Sequence, residues 1–413
     1  MKIFVSHPSG NNFSRAVLRR FDKEGLLAGF HTSIVANPSA PWLKLLPSKI
    51  RGEWLRRTYP IESSRIITRP LLEFLRLTLP KIGLVKYTRG ENRFASLDAV
   101  YIDSDKNLAR KLPDLLNKNS FEGVYVYEDA AIETFKVAKQ LGLTCIYDLP
   151  IAYWETGRRL MMEEAQRMPS WAVTLGGGIK DSEEKLRRKT EELRLADVVV
   201  VPGSFVKDSL PAWAGNKKII VAPFGSPDTP PGQEPVKKSM TNRPLRVLFA
   251  GGMGQRKGLG DLFNAVKILN TKNIELVVLG SPLAPLDFYK NEFQDFRYES
   301  TRPNAKVLEL MQSCDVFCLP SIVEGRALVM QEAMSQGLPL IITENSGGSD
   351  LIMEGKTGFL VPIRSPQAIA EKISWFLDNR SMIPEMSNAA RQHAAKYTWE
   401  NYGSIILNNL KSF

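Results

Sequence analysis

The feature that most constrains this chain is a rhythm that runs twice. Short, continuous apolar runs alternate with stretches of helical periodicity, and a proline-rich break separates two such series. In the first series the apolar runs fall at 2–6 (KIFVS), 123–127 (GVYVY), 143–147 (LTCIY), 197–201 (DVVVV) and 218–222 (KIIVA). Helical spacing lies between them at 13–27, where Phe13, Ala16, Val17, Phe21 and Leu26 follow a 3.6 period, and at 132–140 and 182–195. Residues 223–244 carry Pro223, Pro227, Pro230, Pro231 and Pro235 with few apolar side chains, and read as a linker. The rhythm then restarts with runs at 245–250, 274–279, 315–319, 338–342 and 358–361. Helical stretches accompany them at 259–270, 303–313, 328–336 and 366–377. Short strands without polar alternation, separated by helices, form parallel sheets covered on both faces. The expected fold is therefore α/β, with two doubly wound, Rossmann-like units facing across a cleft. The expected units are 1–222 and 223–395, with 396–413 a terminal helix packing back on the first. Each unit has a ligand crevice at the carboxyl ends of its strands.

The 413 residues suit two domains. A chain 43% hydrophobic and 24% charged is globular rather than disordered. Cys145, Cys314 and Cys318 are too few for a disulfide framework and sit among apolar neighbours without the partners of a zinc site. No run of about 18 apolar residues is present, so no spanning helix is expected. The start, MKIFVSHPSG, reads as a first strand rather than a signal peptide. A cytoplasmic location is the expectation.

The net charge of +11 is uneven: residues 1–222 carry +10 and the remainder +1. Residues 40–93 alone hold 12 basic and 4 acidic side chains, together with Trp42, Trp54, Tyr59, Phe74 and Tyr87. Ile50, Trp54 and Leu55 share one helical face, flanked by Lys49, Arg51, Arg56 and Arg57, with Trp42 and Lys44 nearby. Three readings fit this segment: a solvated basic face, an acidic soluble acceptor, or an anionic membrane surface met peripherally. No zinc finger, RNA-recognition signature or helix-turn-helix spacing supports nucleic acid, which is not expected as a partner.

Two loops of the second series carry chemistry. The run LRVLFA ends at Gly251-Gly252-Met253-Gly254-Gln255-Arg256-Lys257-Gly258, followed by a helix. Glycines after a strand admit a ligand to the backbone, a helix start offers N–H donors to an anion, and Arg256 and Lys257 add two cations. Neither the dinucleotide fingerprint nor the P-loop pattern is present. The second loop follows DVFCL and runs Pro320-Ser321-Ile322-Val323-Glu324-Gly325-Arg326-Ala327-Leu328. Glu324 falls at the crevice, the helix begins near Ala327, and Glu332 lies about 12 Å further along if the stretch is helical. That spacing suits a ligand hydroxylated at both ends with a pyrophosphate between them.

In combination, the Lys-Gly after the glycine loop, the Pro-Ser before the second loop, the pair of glutamates eight apart and the Gly-Leu-Pro turn at 337–339 resemble glycosyltransferase family 4, the glycosyl transferases group 1. The resemblance is close over about 195–400 and extends to the whole chain in architecture. It implies the GT-B fold, with an acceptor-binding first domain and a nucleotide-sugar-binding second domain. It implies a retaining, metal-independent hexosyl transfer from a nucleotide-sugar to an acceptor hydroxyl, in the synthesis of bacterial cell-surface polysaccharide or glycolipid. Lys257 with Arg256 holds the donor diphosphate, Glu324 the transferred sugar and Glu332 the ribose. Gly251, Gly252, Ala327 and Leu328 supply backbone around the phosphates, and the base is seated at 297–301, around Tyr298.

This chain departs from the family pattern. Gly252 stands where an arginine is frequent, with Arg256 as its substitute. Arg326-Ala327 replaces Phe-Gly after the first glutamate, which aims Arg326 at the sugar or a second anion. In the first domain Ser9-Gly10-Asn11-Asn12 stands for the glycine loop. Asp148 stands near the place of an absent histidine that His7 fills instead, or His7 is a satisfied loop residue. Asp103-Ser104-Asp105 mimics a metal-binding pair but reads as a loop and helix cap, so neither a metal nor a separate cofactor is expected. The expected partners are the nucleotide-sugar and an acidic or lipid-linked acceptor. The competing class is a catalytically silent GT-B protein that binds a nucleotide-sugar or serves as a scaffold.

Overall fold

The structure is a computed structural model that describes residues 1–45, 48–176, 178–227 and 242–412. It contains two wholly parallel sheets with helices on their faces. The first has the order β3-β2-β1-β4-β5-β6-β7. Its strands are β1 Ile3–Ser6, β2 Leu27–Thr32, β3 Ile66–Thr68, β4 Gly123–Tyr127, β5 Thr144–Asp148, β6 Val198–Val201 and β7 Lys218–Val221. The second has the order β10-β9-β8-β11-β12-β13. It is built from β8 Leu245–Ala250, β9 Ile274–Leu279, β10 Phe296–Glu299, β11 Val316–Leu319, β12 Leu340–Ile342 and β13 Gly358–Leu360.

Both orders reverse direction once, between β1 and β4 and between β8 and β11. At such a reversal the flanking loops diverge to opposite faces and leave a crevice at the strand ends. In the second sheet the loops that diverge are 251–258 after β8 and 320–327 after β11. The topology alone therefore brings together two segments about seventy residues apart.

Local chemistry explains the boundaries. Asn11 caps the helix Asn12–Lys23 in a reciprocal box with Ser14. That helix stops at Lys23, and residues from Leu27 onward form β2 beside β1 rather than continuing the helical face expected to 27. Three strands escape the sequence reading: β2, which is interrupted by Gly29 and His31, the three-residue β3, and the edge strand β10. The 22-residue helix Leu97–Lys118 also escapes it, since Pro113 lies inside. The run at 338–342 shortens to β12 because Pro339 has no N–H to donate; its carbonyl instead accepts from Phe317.

Phe224, just beyond the expected boundary at 222, packs in the first core with Phe13 and Tyr402. The helix Trp399–Lys411 lays Tyr402, Ile406, Leu407 and Leu410 onto Phe13, Ala16, Val17 and Phe21. In the other direction, Trp171 leaves the first domain and is buried among Phe263, Phe288 and Tyr289 of the second. Most of the expected linker, 228–241, lies outside the described residues. Among the described residues no helix is long and apolar enough to cross a membrane.

Candidate functional site

The backbone after β8 turns sharply. Gly251 N–H donates to Leu279 O at 2.9 Å, and Met253 O accepts from the Tyr289 hydroxyl at 2.5 Å. A single 3₁₀ turn, Gln255–Lys257, ends at Gly258 with φ +74°. A Cβ there would lie 2.0 Å from Pro320 O, so only glycine lets this loop meet the loop after β11. The two are then stitched together, Ile322 N–H donating to Arg256 O at 2.9 Å.

Three residues singled out from sequence converge at this seam. Arg256 Nη1 donates to Glu324 Oε1 at 2.6 Å and to Val323 O at 3.0 Å, and Lys257 Nζ lies 2.5 Å from the same carboxylate oxygen. Burial holds the Lys257 ammonium below its ordinary pKa, with the Glu324 carboxylate opposing that shift. Glu324 thus neutralises both cations. Gly252, Gly254, Arg256, Lys257 and Val323 form one wall of a cleft of about 330 Å³. Ile151, Trp154, Arg158 and Met161 of the first domain form the other. The domains touch here through backbone: Ala152 N–H donates to Glu324 O at 3.3 Å, and a Cβ on Gly325 would lie 1.6 Å from Pro150 O.

The cleft also holds residues that sequence reasoning missed. Glu128, just after β4, is buried against Lys189, Nζ to Oε1 2.5 Å, with Asp129 at 3.1 Å from the same ammonium. Burial pushes the Glu128 carboxyl up, and Lys189 opposes it. Burial works against the Lys189 charge, but the two carboxylates outweigh it and hold the ammonium above its ordinary value. An acidic pair directly after a crevice-facing strand was the available signal.

The glycine loop rests on the first domain. From the helix Trp154–Arg167, the buried Glu164 accepts Gln255 Nε2 at 2.7 Å and Arg364 Nε at 2.8 Å. Arg167 bridges Glu164 to Asp261, which also accepts Gln255 Nε2 at 2.8 Å. Thr174 Oγ1 accepts the Gln255 N–H at 3.0 Å. Nothing in the sequence marks this network, because its members lie far apart in the chain and are not distinctive residue types.

The other expected site residues fall elsewhere. Ala327 precedes the helix Leu328–Ser335 and gives its N–H to Ser346 O at 3.2 Å, while Leu328 packs on the first domain's core. Glu332, half-buried on that helix, accepts Asn304 Nδ2 at 2.9 Å; burial raises its pKa and Asn304 opposes the rise. Tyr298, on the edge strand β10, donates to Gly280 O at 3.3 Å.

Arg326 is taken up by neighbouring segments. Its buried guanidinium pairs with Asp350 at 2.6 and 3.1 Å, donates to Gly347 O and Gln331 Oε1, and stacks 5.0 Å from the Tyr397 ring. A cation so fully engaged is a brace between loops.

His7 lies buried in the loop after β1. Its Nδ1 accepts Gly10 N–H at 2.8 Å and Ser9 N–H at 3.3 Å, with Asn11 Nδ2 2.9 Å from Nε2. Burial, then the Arg15 charge, lowers its pKa to about 3. With Nδ1 accepting, the neutral ring carries its proton on Nε2, on the Asn11 side. Asp148 ends β5 inside the first core, where burial pushes its carboxyl up to about 7. Asp103 and Asp105 lie inside a helix rather than in a loop. Asp103 pairs with Arg69, and Asp105 does cap a helix, Ile132–Gln140, by accepting the Glu133 and Thr134 N–H groups.

Gly10 lines a separate first-domain pocket of about 820 Å³, with Ser9 beside it. Its walls carry Arg15, Arg56, Arg57, Arg76 and Lys81 against Glu53 and Glu73. Glu73 is 1% exposed and is shared by Arg57 at 3.2 Å and Arg76 at 2.6 Å. The pocket therefore keeps a net positive charge.

Residues 232–393 match the family model of the glycosyl transferases group 1. A D-inositol 3-phosphate glycosyltransferase of Corynebacterium urealyticum is 36% identical over 116 residues, 28% of this chain and 27% of that protein. A putative colanic acid biosynthesis glycosyltransferase, WcaL of Escherichia coli, is 26% identical over 200 residues, 43% of this chain and 49% of that protein. The chain thus spans about half or less of the length of these curated relatives. The solved structure of HepE of Anabaena in complex with UDP superposes over 100% of both chains with a TM-score of 0.60 at 15% identity. The two facing sheets and this likeness identify the fold as GT-B.

Proposed function

We propose that this chain is a retaining glycosyltransferase that moves a hexosyl group from a nucleotide-sugar to an acceptor hydroxyl in bacterial polysaccharide or glycolipid synthesis. The observation that carries the reading is the convergence of Arg256 and Lys257 on Glu324 at the crevice of the second sheet, facing the first domain. A donor diphosphate competes with Glu324 for the two cations. Once displaced, the carboxylate is free to accept hydroxyls of the transferred sugar. Glu332 then meets the ribose, and β10 with Tyr298 seats the base.

Charge develops on the diphosphate oxygen as its bond to the anomeric carbon breaks. Arg256, Lys257 and the start of the helix Leu328–Ser335 stabilise it, in a cleft where the low dielectric strengthens each contact. The acceptor oxygen bonds to the same carbon on the same face, and its proton passes to the departing phosphate oxygen. Arg256 and Lys257 give the diphosphate its countercharge without a metal.

The acceptor occupies the first domain, and the basic pocket beside Gly10 favours one carrying phosphate or carboxylate. The UDP complex of HepE makes uridine diphosphate sugars the first donors to test. The experiment is a melting-temperature panel with UDP-, GDP-, ADP- and dTDP-glucose, followed by the anomeric configuration of any product. One donor should raise the melting temperature by mass action and give a product of retained configuration. No shift with any of the four, or an inverted product, would overturn the reading.

A further inference from the structure

The segment 71–97 is turned inside out. In the helix Leu71–Thr78 the acidic Glu73 is buried, while Leu71 and Phe74, three apart on one face, are 59% and 48% exposed. The following turns expose Ile82 at 68%, Tyr87 at 42%, Phe94 at 64% and Leu97 at 48%. Six of the seventeen exposed large apolar side chains among the described residues fall in this one segment. Isolated apolar side chains on a surface are ordinary; a cluster on ordered backbone is not.

The backbone is ordered by its own bonds. Leu84 N–H donates to Leu79 O at 2.9 Å, and Ala95 N–H to Tyr87 O at 3.0 Å, which closes the segment back on itself. Lys86, Arg89 and Arg93 are exposed in the same stretch, as is Lys81, which pairs with Glu53 at 3.3 Å. The only acid between residues 77 and 97, Glu91, is turned inward and accepts Ser182 N–H at 2.9 Å. The exposed face is therefore apolar and cationic together.

We propose that this face, from Leu71 to Leu97, seats the protein on an anionic lipid bilayer. Large apolar side chains that enter the acyl boundary, ringed by cations at headgroup level, are the chemistry of an interfacial segment. Charge complementarity commits the occupant to an anionic bilayer rather than a neutral one. The placement also fits the molecule: Arg76, Leu77 and Lys81 of the same segment line the basic first-domain pocket. A lipid-borne acceptor could then present its phosphate to the pocket without leaving the membrane. That last link rests on the glycosyltransferase reading, whereas attachment itself does not. The interfacial face read from sequence lay earlier, around Ile50, Trp54 and Leu55. The side chains of Trp42, Lys49 and Ile50 lie outside the described residues, and Arg56 and Arg57 line the pocket instead.

The test is co-sedimentation of the full chain with vesicles of phosphatidylcholine alone and of phosphatidylcholine mixed with phosphatidylglycerol, at low and high salt. Two variants accompany the parent: Phe74→Ser with Ile82→Ser and Phe94→Ser, and Lys86→Gln with Arg89→Gln and Arg93→Gln. Binding to the anionic vesicles that falls with salt, and that drops about a hundredfold in the three-charge variant, is the expected result. The apolar variant should also lose most binding. The melting shift with the nucleotide-sugar, measured on every sample, should be unchanged, which separates a failed surface from a failed donor site. No binding to anionic vesicles at low salt, or equal binding to the neutral ones, would overturn the proposal. So would sedimentation showing a dimer that Phe74→Ser dissociates, because the face would then belong to a second copy.

Discussion

Gln255 Nε2 lies 2.7 Å from Glu164 Oε1, and this bond ties the glycine loop of the second domain to a buried carboxylate of the first. The two cations next along the chain, Arg256 and Lys257, are thereby positioned through Gln255 by a carboxylate 91 positions from it. Replacing Gln255 with Leu leaves Glu164 and Asp261 each short of a donor in a buried setting. The expected cost is about 1–3 kcal/mol of stability, the usual range for an unsatisfied buried polar group. Urea unfolding measures it, and donor affinity should fall in the same variant because the loop shifts. A variant as stable as its parent would show that Gln255 does not hold the loop.

Glu324 and the two cations make opposite predictions for binding and for turnover. Glu324→Gln removes the charge that neutralises Lys257 and Arg256, so affinity for the bare nucleoside diphosphate should hold or rise. Transfer should fall in kcat, because a neutral amide oxygen accepts the sugar's hydroxyl hydrogens more weakly than a carboxylate. Lys257→Ala should weaken diphosphate binding and transfer together, since a charge-assisted bond is lost. Calorimetric titration with UDP and with the full donor distinguishes the two. Parallel losses of diphosphate affinity would contradict the assigned roles.

Gly252 offers a gain-of-function test. A Cβ built there would meet nothing nearer than Leu283 Cδ1 at 3.8 Å, and the position lines the cleft. Gly252→Arg should therefore be accommodated and add a third cation to the diphosphate site. The expected outcome is tighter binding of nucleoside diphosphate, about two- to tenfold, with a steeper salt dependence than the parent. Weaker binding would mean that the diphosphate passes elsewhere.

Asp148 sets a pH dependence with a definite sign. Its carboxyl titrates at about 7 in the folded protein, against about 3.9 in an unfolded chain. Between those values the folded state holds a proton that the unfolded state has released, so this group lowers stability as pH rises from about 4 through 7. Asp148→Asn should match its parent near pH 4 and become progressively more stable by pH 8. His7 acts in the opposite direction: its pKa is lowered to about 3, so its contribution is present above the unfolded value of about 6.5 and is lost as pH falls. Urea midpoints of parent and Asp148→Asn across pH 4–8 isolate the carboxyl. A constant difference at every pH would refute it.

The residue pattern alone determined the α/β class, the two series of strands, and the loops that carry Arg256, Lys257 and Glu324. Strand periodicity and glycine placement are local properties, and a parallel sheet fixes where its loops emerge. What each side chain does was decided by tertiary packing. Arg326 follows Glu324 by two residues, yet one meets the crevice cations and the other is locked on Asp350, because the chain turns between them at Gly325. His7 and Asp148 stand at strand ends, but both are buried, His7 against the Ser9 and Gly10 N–H groups and Asp148 inside the first core. Lys189 and Glu164 carried no local mark, since their partners are brought to them only by the fold. Most of 71–97 lies in the basic, aromatic-rich stretch 40–93 marked from sequence, but its exposed side was decided by the fold: a run of leucines reads as core until the structure shows which side is covered.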